Sequence, residues 1–411
     1  MNEFSDIVQI PDSAGSDVRK HLGLSMSDAL RVAFIPGPGD VAGTFQHWRA
    51  QQHEPRVPII AYSLMFYELM DRLDAQSLII SLESVAAARE SMSDRFHFQQ
   101  IVSRPATGRW SYFWSQYQFA KSINAIVGDY DPHVVVTSTH NPALSWPRLA
   151  KNRKLVLTAH NSFWPQGSEP TGLKGRLRKA LLSSHAQSLD AAICTSHECA
   201  RQVALLTDGR IQADVECPQI VSRYPIEERT DVRNLLFLGR VERPKGVFLL
   251  LDVFEQITQR YPELRLAIAG DGDAAPELEV RLLASSLSQK VTFLGRVDSN
   301  GVHAAIAASD LVVCPTMTSF NEGLAVVGFE AAAHGIPTIL SSVVPASHLL
   351  GDSCTMYQAD DSVALRQALC GLIDNPDVYR EKCAATAGVR DMIYDRKLSW
   401  GSGLFRAIMN S

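Results

Sequence analysis

The second half of the chain alternates short apolar runs with longer segments in which apolar residues recur at helical spacing. The apolar runs are short and continuous, as in NLLFLG (234–239) and the β-branched LVVCPT (311–316). Strands that are apolar along their whole length are buried on both faces, which is typical of a parallel sheet covered by helices. The pattern therefore predicts a doubly wound α/β domain. Its other predicted strands are RLAIAG (265–270), VTFLG (291–295) and PTILSS (337–342).

The first half repeats this alternation less regularly. A long aromatic helix is expected at 109–130, and we expect its Trp and Phe residues to pack in a core. Two similar halves predict two Rossmann-like, doubly wound domains that face one another across a cleft. The predicted strands of the first half are RVAFIP (31–36), SLIIS (77–81), HFQQIV (97–102), HVVVTST (133–139), KLVLTAH (154–160) and DAAICTS (190–196).

The segment VSRYPIEERTD (221–231) is the best candidate for a domain boundary, because it combines a proline with a cluster of charges. We therefore assign 1–222 to the first domain and 223–395 to the second, with a C-terminal segment at 396–411. Residues 1–28 are expected to form an extension of the first domain.

Composition removes several classes of protein from consideration. The chain has 411 residues, of which 46% are hydrophobic and 20% charged, so it has ample apolar material for two folded domains. A net charge of −5 argues against a nucleic-acid-binding protein. Seven scattered cysteines without a CxxC pair indicate reduced thiols and disfavour a zinc site. The N-terminus lacks the basic start and apolar run of a signal peptide, so we expect a cytoplasmic protein.

The segment LFLGRVERPKG (236–246) carries two cations at the end of a predicted strand and just before a helix. Ligands of open α/β sheets bind beyond the carboxyl ends of the strands. Arg240 and Lys245, beside the free amides of a helix N-terminus, would suit a phosphate or diphosphate. The alternative is a surface ion-pair cluster with Glu242.

The segment SFNEGLAVVGFEAAAHGIP (319–337) contains two glutamates, Glu322 and Glu330, among small and apolar residues. We expect a helix to begin just after Glu322, which would leave the amides of Gly323, Leu324 and Ala325 free for an anion. A carboxylate buried against alanines is costly unless it binds something. Two such carboxylates could grip the two sugars of a nucleotide sugar, with the diphosphate between them.

These motifs resemble the donor-binding half of the family-4 retaining glycosyltransferases, which have the GT-B fold. The resemblance rests on GRVERPKG (239–246), AGDGD (269–273) and the paired glutamates, in that order over residues 234–345. It implies that Arg240 and Lys245 hold the donor diphosphate. It also implies that Glu330 contacts the nucleotide ribose and that Glu322 contacts the transferred sugar.

The first half resembles the family more weakly. FIPGPGDVAGTF (34–45) follows the first strand, where the family has a glycine-rich loop near the donor phosphate. The resemblance therefore implies that Gly39 and Gly43 approach the donor, as do Gly239 and Gly270 in the second domain. LTAHN (157–161) implies a histidine near the donor sugar, His160, with His140 as its rival. The loop between Pro315 and Glu322 is longer than is usual in the family.

The resemblance implies transfer of a hexose from a UDP- or GDP-sugar to an acceptor hydroxyl, with retained configuration and without a metal or other cofactor. Alternatives are a nucleotide-sugar epimerase or hydrolase of the same fold, and a non-catalytic protein that binds sugar nucleotides. The acceptor is expected to be a glycan or a lipid-linked sugar. LKGRLRKALL (173–182) is a basic amphipathic helix, which favours docking on the anionic inner face of a membrane, although a solvated helix face fits equally well.

The C-terminal segment 396–411 is predicted to form a helix that leaves the second domain and packs on the first, as chains of the GT-B fold resemble one another in doing. Trp400, Leu404, Phe405 and Ile408 would supply its apolar face at helical spacing.

Overall fold

The computed structural model describes residues 7–410 except 53, 56, 58, 86–93, 103–107 and 285. Its strands form two parallel sheets, one in each half of the chain. The first sheet contains β1 (Leu30–Ile35), β2 (Ala75–Ser81), β3 (Phe96–Gln100), β4 (Val134–Ser138), β5 (Lys154–Ala159), β6 (Ala191–Cys194) and β7 (Asp214–Val215). The second contains β8 (Asn234–Leu238), β9 (Arg265–Ala269), β10 (Val291–Gly295), β11 (Leu311–Cys314), β12 (Thr338–Ser341) and β13 (Cys354–Tyr357).

Helices cover both faces of each sheet. Those of the first half are α1 (Ala14–His21), α2 (Val41–Arg49), α3 (Tyr62–Arg72), α4 (Arg109–Tyr130), α5 (Trp146–Leu149), α6 (Gly172–Ala186) and α7 (His197–Leu206). Those of the second half are α8 (Val247–Ile257), α9 (Ala275–Ala284), α10 (Ser299–Ala307), α11 (Val327–Ala333), α12 (Ser347–Leu350), α13 (Ser362–Ile373), α14 (Pro376–Tyr394) and α15 (Trp400–Met409).

The two sheets have the same strand order. The first runs β3-β2-β1-β4-β5-β6-β7 and the second runs β10-β9-β8-β11-β12-β13. Each order reverses once, between β1 and β4 and between β8 and β11, and in doubly wound folds the ligand crevice lies at this point. The predicted class of two Rossmann-like domains is confirmed. All the predicted strands are present, and the sequence analysis missed only the short β7 and β13.

Strands β4, β6, β11 and β12 are buried along their whole length, as their largely apolar composition predicts. Branched side chains from both faces of each strand enter the cores between sheet and helices, and this is why the sequence shows continuous apolar runs.

The C-terminal helix α15 packs on the first domain. Trp400, Leu404 and Ile408 are buried in the same core as Phe34 of β1, and Phe405 packs against that core from its edge. The described part of the N-terminal extension packs there as well, since Ile7 and Val8 are buried in the same core and the Ser402 hydroxyl bonds both the amide and the carbonyl of Gln9. The exact boundaries at 222 and 395 stay a prediction.

The expectation for the aromatic helix α4 is wrong over its first half. Trp110, Phe113 and Trp114 are exposed, and the helix enters the core only from Phe119 and Ala120 onward. The physical reason is length. At 1.5 Å per residue, a helix of 22 residues is about 33 Å long. The five residues of the neighbouring strand β4 span only about 17 Å, so the helix projects beyond the sheet.

Candidate active site

A cavity of about 450 Å³ lies between the two domains. The second domain contributes the ends of β8 and β11, from Phe237 to Gly239 and from Val313 to Thr316, which is where the strand order reverses. The first domain contributes Tyr62, His160, Asn161 and Thr195. The position agrees with the rule for ligand sites in doubly wound sheets.

Lys245 and Glu322 form an ion pair at one end of this cavity. The distance from Lys245 Nζ to Glu322 Oε2 is 2.5 Å, and both side chains are largely buried. The Thr316 hydroxyl donates a second hydrogen bond to the same oxygen at 3.1 Å. The Lys245 ammonium also lies 4.4 Å from the centre of the Phe320 ring. Because its neighbours fix it, this cation is preorganised to attract a negatively charged ligand.

Glu330 lines the other part of the cavity on α11 and is 5% exposed. Burial raises the pKa of its carboxyl to about 8. In the part of the chain that the structure describes, no side chain or backbone group forms a hydrogen bond or ion pair with this carboxyl. An unpartnered buried carboxyl is unfavourable for folding alone, so its position beside a cavity points to a ligand with hydroxyl groups.

The backbone between the two glutamates differs from the expectation. The helix α11 begins at Val327, four residues later than Gly323, because the chain from Gly323 to Val326 passes through the left-handed backbone of Ala325 (φ 66°). Gly323, Leu324 and Ala325 nevertheless line the cavity. Among the described residues, their amides have no hydrogen-bond acceptor, so they remain available to an anion.

Gly323 packs closely against the first domain. A Cβ atom at this position would lie 2.1 Å from the carbonyl oxygen of His160 and 2.6 Å from Oδ1 of Asn161. Only glycine fits such a contact. The Ser162 hydroxyl and the Asn321 side-chain amide reinforce it, because Ser162 donates to Asn321 Oδ1 and Asn321 donates to the carbonyl of Ser162.

His160 stands at the carboxyl end of β5, and its ring packs against Tyr62 at 4.4 Å between centroids. Its Nε2 pairs with the Thr158 hydroxyl at 3.0 Å, whereas its Nδ1 has no partner among the described residues. Burial, with a smaller contribution from His140, lowers the pKa of His160 to about 3. The imidazole is therefore neutral at physiological pH and can offer a hydrogen bond but not a positive charge.

A second cavity of about 390 Å³ opens on the first domain alongside the first. Tyr62 and His160 line both cavities, so the two meet at these rings. The walls of the second cavity also include Gly39, Asp40, Glu54 and His140. His140 lies near the first cavity too, because its Nε2 pairs with the Asn161 side-chain amide at 3.0 Å.

Three of the residues predicted from the sequence do not line either cavity. Arg240 is 61% exposed and pairs with Glu242 at 2.6 Å, as the surface ion-pair alternative proposed, although it also lies over the Phe320 ring. Gly270 packs against the carbonyl of Gly239 and serves close packing between strands. The amide of Gly43 caps its own helix through Asp40, so it is not free for a phosphate. Gly239 does line the first cavity.

Several cavity residues escaped the sequence analysis. Tyr62 stands at the start of α3, and Thr195 and Asn161 follow strand ends, so the last two could have been found by the same rule that found His160. Thr316 lies just after β11 and had the same signal. Phe320 lines neither cavity but packs on Lys245, and Asn321 bonds Ser162; both come from the long loop after Pro315, which has no periodic pattern.

Two further properties concern metals and membranes. Across the described ranges, no group of three or more His, Cys, Asp or Glu side chains could hold a metal ion. None of the helices that the structure describes combines the length and apolarity needed to cross a bilayer.

Comparison with known proteins gives the family. A family model described as Glycosyltransferase Family 4 matches residues 65–212, and one described as Glycosyl transferases group 1 matches residues 232–375. The two matches fall on the two domains and together span more than two thirds of the chain. The chain belongs to the family-4 glycosyltransferases. The second match contains Lys245 and both glutamates.

Among curated members of the family, the chain is 34% identical over 166 residues to the phosphatidyl-myo-inositol mannosyltransferase of Mycobacterium leprae. It is 29% identical over 191 residues to the alpha-D-kanosaminyltransferase of Streptomyces kanamyceticus. The matched regions cover 40% and 46% of this chain, and they span less than half the length of these relatives, at 43% and 48%.

Solved structures share the fold. Sucrose-phosphate synthase from Thermosynechococcus elongatus superposes with a TM-score of 0.65 at 17% identity, over 92% of this chain and 98% of its own. HepE from Anabaena, solved in complex with UDP, superposes with a TM-score of 0.60 at 15% identity, over 89% of this chain and 96% of its own. The two facing α/β domains therefore form the GT-B fold.

Proposed function

We propose that this protein is a glycosyltransferase that moves a hexosyl group from a nucleotide-diphosphate sugar to an acceptor hydroxyl in glycoconjugate biosynthesis. The observation that carries the proposal is the cavity between the domains, where the unpartnered carboxyl of Glu330 and the Lys245–Glu322 pair lie at the strand ends. The family membership and the transferase activities named for the relatives support it.

The donor would lie along this cavity with its parts matched to the side chains. Glu330 would accept hydrogen bonds from the ribose hydroxyls, and Lys245 would contact the diphosphate with help from the amides of Gly323 to Ala325. Glu322 would then bind hydroxyls of the transferred sugar, facing His160 and Asn161. The UDP complex of the related structure supports a UDP- or GDP-sugar as donor.

The negative charge that builds on the departing diphosphate would be stabilised by side-chain cations and backbone amides. Lys245 would supply one of these cations, and Arg240, whose side chain lies on the same Phe320 ring, would supply another. We therefore infer that the reaction needs no metal, and activity that persists in a chelating buffer is the expected result.

We infer retention of configuration from the resemblance to the family-4 retaining glycosyltransferases, and the distribution of carboxylates favours substitution on one face over a covalent intermediate. In the described part of the chain, the only carboxylates that line the cavity are Glu322 and Glu330, both on the second domain. The first domain presents Tyr62, His160, Asn161 and Thr195, none of which is a carboxylate nucleophile. The acceptor hydroxyl would enter from the second cavity, on the same side as the leaving diphosphate, whose oxygen would take the proton.

Product analysis tests the proposal directly. The protein would be incubated with a panel of UDP- and GDP-sugars, with and without glycan and glycolipid acceptors, and products would be identified by mass and anomeric NMR signals. Transfer with the donor's anomeric configuration is expected. Without any acceptor, an altered nucleotide sugar would instead identify an epimerase, and free sugar with nucleotide diphosphate would identify a hydrolase.

Three variants test the donor site by calorimetry. Glu330→Gln should weaken both nucleotide diphosphate and nucleotide sugar, because hydrogen bonds to charged groups contribute roughly 1.5–3 kcal/mol. Glu322→Gln should spare the nucleotide diphosphate and weaken the nucleotide sugar, whereas Lys245→Ala should weaken both. Unchanged binding of both ligands by Glu330→Gln would contradict the assigned site.

We also propose that the acceptor is a glycan or a lipid-linked sugar, and that the protein works at the inner, anionic face of a membrane. The basic segment 173–182 lies within α6, and its Lys174, Arg176 and Arg178 are exposed. The lipid named for the Mycobacterium relative supports a membrane-bound acceptor.

A further inference from the structure

The first domain carries an exposed apolar surface that glycosyl transfer in the cleft does not use. It consists of the projecting end of α4 with Trp110, Phe113 and Trp114, of Leu144, and of Leu173 and Leu177 on α6; we call it the edge surface. All of these side chains are exposed, from 41% for Leu144 to 88% for Trp110. Contiguous apolar exposure of this kind marks an interaction site.

The edge surface follows from the geometry of the two helices. In a parallel sheet, each helix begins beyond the carboxyl ends of the strands and runs back to their amino ends. The end of α4 lies at the amino edge, because the amide of His133 just after it bonds the Arg31 carbonyl in β1. The helix α4 is about twice as long as the strands beneath it, so its first half projects at the carboxyl edge.

The two helices that carry the edge surface contact the same turn. Both α4 and α6 contact the turn Ala143–Ser145, which follows β4 at the carboxyl edge and exposes Leu144. Leu173 and Leu177 are one helical turn apart at the start of α6, and Trp110, Phe113 and Trp114 share one side of α4 at spacings of three and four. The surface therefore lies at the same edge of the sheet as both cavities.

Among the described residues, the unpaired charges on α6 are all positive. Lys174, Arg176 and Arg178 are exposed on α6, and no carboxylate among the described residues pairs with them. Lys179, by contrast, is paired with Glu169 at 3.3 Å. The sequences of α6 and of α4 up to Gly128 contain no acidic residue. An apolar surface flanked by unpaired cations is complementary to a partner with an apolar interior and an anionic boundary.

We propose that the edge surface docks the protein on an anionic phospholipid bilayer, with the aromatic end of α4 inserted at the headgroup boundary and the cations of α6 on the lipid phosphates. The aromatic end of α4 is the new element, beyond the basic helix of the proposed function. Trp and Phe side chains favour this boundary, and each cation near an anionic surface adds to the attraction. A symmetric dimer through this surface would instead bring like charges together.

Vesicle binding by the full chain tests the proposal. Co-sedimentation would be measured with vesicles of phosphatidylcholine alone and with an equimolar mixture of phosphatidylcholine and phosphatidylglycerol. We expect binding to the mixed vesicles only, with a blue shift of tryptophan emission and quenching by brominated lipid. Trp110 and Trp114 would give this signal, because Trp146, Trp164 and Trp400 are buried and Trp48 packs against the core of the first domain. Equal binding to both kinds of vesicle would overturn the proposal.

Two variants separate the two contributions. Trp110→Ser/Phe113→Ser/Trp114→Ser should lower partition into mixed vesicles by at least about tenfold. Lys174→Glu/Arg176→Glu/Arg178→Glu should lower it by roughly fivefold or more for each cation changed. The matched control is Val280→Ser/Leu283→Ser, which removes equally exposed apolar side chains from α9 and should leave binding unchanged. Wild-type binding by the aromatic variant, or a dimer that this variant dissociates, would overturn the proposal.

The proposed function explains why the protein would need a membrane, and the docking proposal rests on it in this respect alone. The vesicle test does not depend on transferase activity. The aromatic variant should keep its melting temperature, its thermal shift with nucleotide sugar and its turnover with a water-soluble acceptor. Loss of vesicle binding with these readouts intact supports docking. Vesicle binding by a protein without any transferase activity would leave docking supported and contradict the proposed function.

Discussion

At the scale of single residues, the site is built from groups whose burial is explained by a ligand rather than by folding. Glu330 is buried without a partner, and the Lys245 ammonium lies among Glu322 and Phe320 instead of in solvent. Burial of an unpaired carboxyl destabilises the folded state, so its side chain holds free energy that a hydroxyl-rich ligand can recover. The pKa of such a group gives a direct experimental signal.

The affinity for nucleotide sugar should depend on pH through Glu330. Its pKa is raised to about 8, so at neutral pH the carboxyl is mostly protonated, and a ligand that needs the carboxylate must first release that proton. Affinity should therefore rise with pH up to about 8 and then level off, with a limiting slope of about tenfold per pH unit. Calorimetry in buffers of different ionisation enthalpy would measure the proton released.

A nucleotide sugar is the appropriate ligand for this measurement, because its diphosphate does not titrate in the range used. Glu330→Gln provides the control, since an amide has no proton to lose and should give weaker, pH-independent binding. A wild-type affinity that stays constant from pH 6 to pH 8, as test conditions, would show that the ribose is held by some other group.

Substitution of Gly323 should affect transfer more than donor binding. Gly323→Ala would place a Cβ atom 2.1 Å from the His160 carbonyl, so the domains would have to move apart. Because the donor contacts lie mainly on the second domain, we expect near-normal binding of nucleotide diphosphate and a large fall in the rate of transfer. Gly388→Ala is the matched control, since its Cβ would meet nothing within 4 Å. Equal rates for the two variants would mean that close contact between the domains is not needed.

At the scale of elements, the sequence predicts the strands better than it predicts the helices around them. Continuous apolar runs predict buried parallel strands because burial on both faces leaves no polar positions, and the predicted strands are found. The start of α11 at Val327 could not be predicted, since the left-handed turn at Ala325 has no glycine to reveal it. The exposed end of α4 was also missed, because its aromatic residues indicate burial. Only the length of the helix, compared with that of the strands, shows that this end projects beyond the sheet.

The helix α15 should contribute strongly to the stability of the first domain. Trp400 is buried against Tyr62 and Phe34, so Trp400→Ala should lower the free energy of unfolding by about 3–5 kcal/mol. Trp110→Ala is the matched control at an exposed position and should change it by no more than about 0.5 kcal/mol. Urea unfolding followed by circular dichroism measures both. Similar midpoints for the two variants would show that α15 is only loosely attached.

At the scale of the whole molecule, the candidate site exists only because the two domains meet. The sequence predicts donor groups on the second domain, but it has no signal for the contacts that join residues 160–162 to residues 321–323. These contacts link segments about 160 positions apart, in loops without a periodic pattern. The loop after Pro315 is longer than is usual in the family, and it supplies Asn321 to the contact between the domains. The backbone amide of Thr318 in the same loop donates a hydrogen bond to Asp360 within the second domain.

The last prediction concerns how strongly this loop holds the cleft closed. Asn321→Ala removes both hydrogen bonds to Ser162, and each such bond contributes about 1 kcal/mol, so the ratio of closed to open form should fall by about thirtyfold. We expect a larger radius of gyration in X-ray scattering, slower transfer and little change in the binding of nucleotide diphosphate. Thr318→Ala is the control, because its side chain bonds only Asp360 of its own domain. If both variants scatter and react like the wild type, the contact between Ser162 and Asn321 does not govern closure, and the close fit at Gly323 must hold the domains together by itself.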